Sequence, residues 1–142
     1  MGPSWTWQGF ALGSALFAGL TAIFGKIGVA EIPSNLATFI RTVVIILLLG
    51  GVVTLQGGWL SLDKLSGKGV IFLVLSGIAT GLSWMCYYKA LQLGPAGRVA
   101  SVDKLSVVFV IVLAAAFLGE KLSLIKAVGA ILITTGTIIM LG

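Results

Sequence analysis

Apolar residues fall into five long stretches along the chain, separated by short polar breaks that carry Gly or Pro. A helix rises about 1.5 Å per residue, so roughly 20 apolar residues cover a hydrocarbon core of ~30 Å. The pattern predicts helices over about 5–27, 36–55, 70–91, 98–118 and 124–141. The first break, GVAEIPSN, holds Pro33, with Ser34 or Asn35 as the expected cap of the second helix. The second span ends at Gln56-Gly57-Gly58-Trp59, and the polar link SLDKLSGKG leads into the third. Leu93-Gly94-Pro95-Ala96-Gly97 is a tight turn, and Gly119-Glu120-Lys121 ends the fourth span. Trp5, Trp7 and Trp59 stand at span ends, where amphipathic rings anchor helices to the interface. The fold class is therefore all-α, a multi-pass membrane protein of five transmembrane helices.

Composition strengthens this reading. The chain has 142 residues, of which 58% are hydrophobic and 9% charged, against about 25% charged in soluble domains. The apolar runs leave no room for a soluble domain, so residues 1–142 form a single transmembrane domain. The first run is too long for a signal peptide and lacks a basic leader, so it is expected to stay as a span. The net charge of +5 comes from dispersed Lys and Arg, which is not the clustered footprint of a nucleic-acid partner. There is no His, and Cys86 is the one cysteine. That set excludes an intramolecular disulfide and a nucleophile with a His base, and a His/Cys zinc cluster is not expected. Phosphate-binding glycine motifs are also missing, so neither a cofactor nor an enzyme activity is expected.

An odd number of spans puts the two ends on opposite sides of the bilayer. Lys64, Lys68, Lys121 and Lys126 belong to the amino-terminal side, and Lys26, Arg41, Lys89, Arg98 and Lys104 to the other. This near balance specifies orientation weakly. A chain inserting both ways could pair antiparallel with itself, making from two copies the inverted repeat that many transporters carry in one chain.

Ionisable groups inside spans mark candidate chemistry, because each costs roughly 2.5–3.5 kcal/mol to insert. Asp103 and Lys104 lie in the first turns of the fourth span. Lys89 and Asp103 are expected at similar depth, about 9 Å below the turn that joins the third and fourth spans. They either neutralise one another and fix a hairpin, or Asp103 alternates between a lysine, a proton and a solute. Arg41 shares a polar face with Asn35, Thr38 and Thr42. It either clamps a carboxylate or phosphate or reaches to the interface, as Lys26 is expected to do. Trp84 lies far enough in to line a cavity, with Tyr87 and Tyr88 nearer the end and Ser101 and Ser106 beside Asp103. Gly9 and Gly13 in the first span, and Gly77 and Gly81 in the third, are small-residue faces suited to helix packing.

Several of these segments together resemble the EamA domain of the drug/metabolite transporter superfamily. They are Tyr88-Lys89-Ala90-Leu91-Gln92-Leu93-Gly94, then Leu118-Gly119-Glu120-Lys121-Leu122, then Gly129-Ala130-Ile131-Leu132-Ile133 and Gly136. Arg41 also sits where that family carries an arginine. Many members have a proline midway through the fourth span; this chain reads Asp103-Lys104-Leu105-Ser106, similar to the five-span bacterial and archaeal type. The resemblance implies one EamA repeat, a homodimer, and residence in a bacterial or archaeal cytoplasmic membrane. It places Gly119 and Glu120 in a family turn. The implied function is secondary, proton- or ion-coupled transport of a small metabolite, with Asp103, Arg41, Lys89, Lys104, Trp84 and Ser106 along the pathway. The alternative is a non-transporting membrane subunit whose helices only pack.

Overall fold

A computed structural model describes residues 6–59 and 65–142. Trp5 and Lys64 lie outside the described residues. Six helices follow in order: α1 (Trp7–Gly28), α2 (Ser34–Leu55), α3 (Gly67–Leu93), α4 (Ala96–Asp103), α5 (Ser106–Phe117) and α6 (Leu124–Leu141). No strand occurs among the described residues. α1, α2, α3, α6 and the α4–α5 pair make five segments long and apolar enough to cross a membrane.

Two boundaries differ from expectation for local reasons. Pro33, at φ −53° and ψ 134°, holds the cap position of α2, and Ser34 is already helical rather than capping. The fixed φ of proline and its lack of an N–H suit a helix start. Helix α3 begins at Gly67 because the Ser66 hydroxyl accepts the Gly69 N–H at 3.1 Å, drawing the polar Gly67-Lys68-Gly69 into the helix.

The chain divides into two compact units, residues 1–92 and 93–142, described in turn. In the first unit the buried residues gather at one end of the helices. Ala22, Gly25 and Val29 belong to the end of α1 and its cap, Ser34 and Thr38 to the start of α2, and Tyr88 and Leu91 to the end of α3. Gly25 is what lets α1 and α3 approach: a Cβ there would stand 3.3 Å from both Leu91 Cδ1 and the Tyr88 hydroxyl. Polar ties close the same end. The Gln92 amide donates to the carbonyls of Val29 (3.2 Å) and Ile32 (3.0 Å), and the Lys26 ammonium donates to the Leu91 carbonyl (2.6 Å). Lys26 thus spends its charge on the end of α3 instead of reaching outward.

In the second unit both α4 and α5 pack on α6. The fourth span, expected as one helix, is interrupted between Asp103 and Ser106 although no Pro or Gly is present there. A contact from α6 accompanies the break. Thr137 Oγ1, buried, donates to the Ser101 carbonyl at 3.1 Å, the acceptor a regular helix would reserve for Leu105 N–H. Leu105 N–H bonds instead to Val102 at 3.0 Å, and Val107 and Val108 follow with bonds to Lys104 (3.1 Å) and Leu105 (2.9 Å). These are the i→i−3 bonds of a 3₁₀ turn. Ser101 is held in turn, donating to Gly97 O at 2.7 Å. After α5, Gly119 takes φ +68°, which frees Glu120 N–H to bond back to Ala114 O at 3.2 Å.

Candidate functional site

The site is built on α2 and α3. Arg41 starts roughly 10 Å inside α2, counted from Ser34, while Trp84 lies about 13 Å inside α3, counted from Leu93 at the same end. The Arg41 guanidinium carbon sits 3.8 Å from the centre of the Trp84 ring and 5.5 Å from that of Tyr88. Trp84 and Tyr88 are one helical turn apart, so they share a face of α3 and together form an aromatic shelf. The stack holds the cation between the levels of Trp84 and Tyr88, inside the end that α2 and α3 share. A cation over an indole face gains about 0.5–2 kcal/mol, which offsets part of the insertion cost. A cation–ring contact uses none of the guanidinium's N–H donors as hydrogen bonds to a carboxylate or carbonyl.

Those donors have no other taker. Among the described residues no carboxylate or carbonyl accepts a hydrogen bond from Arg41, and its nitrogens keep accessible surface. Arg41 lines a cavity of about 350 Å³ whose walls include Phe24, Ile32, Ile40 and Val44, with Tyr88 and Gly28. Arg41 is the one charged lining residue among the described residues. A Cβ on Gly28 would meet no atom within 4 Å, so this glycine contributes open space. Thr38 and Thr42, on the polar face that carries Arg41, offer no hydroxyl proton: each donates to a carbonyl one turn back, Ser34 O at 2.9 Å and Thr38 O at 2.8 Å.

Comparison with known proteins fixes the family. The EamA-like transporter family model matches residues 5–142. A Sinorhizobium protein named "Uncharacterized transporter in cobO 3'region" is 48% identical over 137 residues, covering 96% of this chain and 97% of that protein. The chain belongs to the EamA-like transporter family. No solved structure matches it.

In this EamA-like transporter the other residues singled out from the sequence are distributed as follows. Trp84 meets the cavity through Arg41, as its shelf. Lys89, exposed on α3, donates to Gln92 Oε1 at 3.3 Å. Asp103 closes α4, Lys104 follows it, and Ser106 opens α5; all three are exposed, and they belong to the second unit while Arg41, Trp84 and Lys89 belong to the first. A Cβ at Gly13, Gly77 or Gly81 would meet no atom within 4 Å, so within one chain these small faces are open. Gly9 N–H bonds to Thr6 O at 2.9 Å in the first turn of α1. Gly119 and Glu120 shape the turn before α6, where Glu120 pairs with Lys126 at 3.0 Å.

Three structural residues had no sequence signal strong enough to separate them. Gln92 looked like an ordinary polar residue at a span end, Thr137 like a hydroxyl satisfied within its own helix, and Gly28 like one of 20 glycines. Gln92 and Thr137 are distinguished by partners far away in the chain, and Gly28 by the open space it leaves on the cavity.

Proposed function

We propose that this EamA-like protein is a secondary transporter of a small metabolite, coupled to protons or another ion and working as an antiparallel homodimer in the cytoplasmic membrane of a bacterium or archaeon. The supporting observation is the exposure of Asp103 and Lys104 roughly 10 Å inside the fourth span, at its helical break. Two charges facing lipid there would each cost roughly 2.5–3.5 kcal/mol. Water in a passage, or a second copy of the chain, removes that cost. A carboxylate beside a lysine at such a place binds or releases a proton as the lysine approaches and withdraws. Interrupted helices lining a passage are also how transporters place polar backbone within the bilayer. The open small-residue faces and the near balance of basic residues across the two sides support the antiparallel partner.

The test uses proteoliposomes loaded with a pH dye and challenged with a panel of small metabolites. Wild type should couple solute entry to proton movement, and Asp103→Asn should abolish the coupled movement while the protein remains folded. Normal coupled flux in the Asn variant would make Asp103 structural. Tags at the carboxy terminus should label from both membrane sides; labelling from one side only sinks the antiparallel dimer.

A further inference from the structure

We propose that the α1–α2–α3 cavity binds a compact monocarboxylate with an apolar body, its carboxylate bidentate on the free edge of Arg41. This deepens the transport reading and rests on it only for the solute's passage, not for its binding.

Charge sets the class first. Arg41 is the one charged group on the cavity and lacks an anionic partner among the described residues, so one negative charge balances it. Its acidic neighbours do not compete. Glu31 is exposed in the α1–α2 connector and does not line the cavity. A doubly charged phosphate would bring one charge more than the site neutralises. Geometry sets the head group. Trp84 lies against the guanidinium, its ring centre 3.8 Å from Cζ, and a guanidinium carries a fork of parallel N–H donors that matches the two oxygens of a carboxylate. Amines are repelled by the same cation.

The walls set the rest of the solute. Apart from Arg41 they offer aliphatic and aromatic surface, with the Thr21 and Tyr88 hydroxyls as the polar side-chain groups. A volume of about 350 Å³ is at the lower end of the range for ligand sites and matches roughly a dozen waters, hence a body of few heavy atoms. A lipid phosphate is the competing source of negative charge, but the stack holds the guanidinium on Trp84, inward of the helix end where headgroups lie.

The experiment measures binding directly. Purified protein in nanodiscs of zwitterionic lipid is titrated calorimetrically with propionate, butyrate, 4-methylvalerate and benzoate, with their amides and matching amines, and with inorganic phosphate. The carboxylates should bind, tighter as the apolar body grows to fill the cavity, and the amides, amines and phosphate should not. Arg41→Gln should weaken carboxylate binding about 10- to 100-fold. Arg41→Lys, which keeps the charge but loses the planar fork, should fall between. Gly28→Leu, which leaves Arg41 in place and fills the open space, should also abolish binding; circular dichroism confirms that each variant is folded. Carboxylate binding that survives both Arg41→Gln and Gly28→Leu, equal binding of phosphate, or no carboxylate binding by folded wild type overturns the site. If nanodiscs of anionic lipid suppress the carboxylate signal completely, Arg41 is a headgroup ligand and the proposal fails. Flux of the bound carboxylate into vesicles is read separately: binding without flux keeps the site and removes the transport reading.

Discussion

Gln92 gives the sharpest test of what holds the first unit together. Its amide joins the end of α3 to the α1–α2 connector through two carbonyls, Val29 O and Ile32 O, 63 and 60 residues away in sequence. Interhelical hydrogen bonds in membrane proteins average about 0.6 kcal/mol and reach about 1.7. Gln92 is half-buried, so water can partly replace it, and Gln92→Leu should cost about 1–2 kcal/mol. The informative partner is Gln92→Glu. Lys89 donates to Gln92 Oε1, so a carboxylate would strengthen that contact, yet it would turn an acceptor towards the two carbonyls and lose both donors. If the carbonyl bonds stabilise the fold, the Glu variant is weaker than wild type; if the Lys89 contact does, it is stronger. The assay is equilibrium unfolding in mixed detergent and dodecyl sulfate micelles, followed by circular dichroism. A Leu variant within about 0.3 kcal/mol of wild type, or a Glu variant more stable than wild type, would refute the reasoning.

Two further substitutions separate neighbouring causes. Gly25→Val should destabilise by about 1–3 kcal/mol in the same unfolding assay, because its side chain meets Leu91 and Tyr88 at once, whereas Gly28→Ala, one turn on in open space, should be neutral to about 1 kcal/mol more stable. Thr137→Val removes one of the two donors on the Ser101 carbonyl, the other being Lys104 N–H, so if Thr137 holds the break open hydrogen exchange at Leu105 should slow as its N–H turns to Ser101 O; unchanged exchange would show that the break has another cause.

The span count was legible because run length alone decides it. Five apolar stretches became five spanning segments, with ends moved by no more than a few residues. The ends that moved did so through single side chains: Ser66 draws in three polar residues, and Pro33 takes the position expected of Ser34 or Asn35. The break in the fourth span was not legible, since neither Pro nor Gly marks it and the side chain that bonds to it lies more than thirty residues on, a threonine of α6. A local pattern cannot report a hydrogen-bond acceptor taken by a distant donor. Arg41 and Trp84 were each legible as candidates but not as partners. The depth count that brought Lys89 level with Asp103 would have found them, applied to α2 and α3, because both stand a similar distance from the end that these helices share.

Polar groups in a membrane chain divide by where their hydrogen bonds go, and that division carries the functional reading further than their identities do. Lys26, Gln92, Thr38, Thr42, Ser101 and Thr137 all donate to backbone carbonyls, which accounts for them as structure. Glu120 and Lys126 account for each other. Arg41 differs because among the described residues it meets the Trp84 and Tyr88 rings and no carboxylate or carbonyl, so its guanidinium still holds a full charge and unused donors. Asp103 and Lys104 differ because they are exposed within a span. A fold seeking only stability would replace such groups with apolar ones of similar volume, at no loss or with a gain. These are the groups that the transport proposal and the carboxylate-site proposal use, and their substitution is what separates a functional role from a structural one.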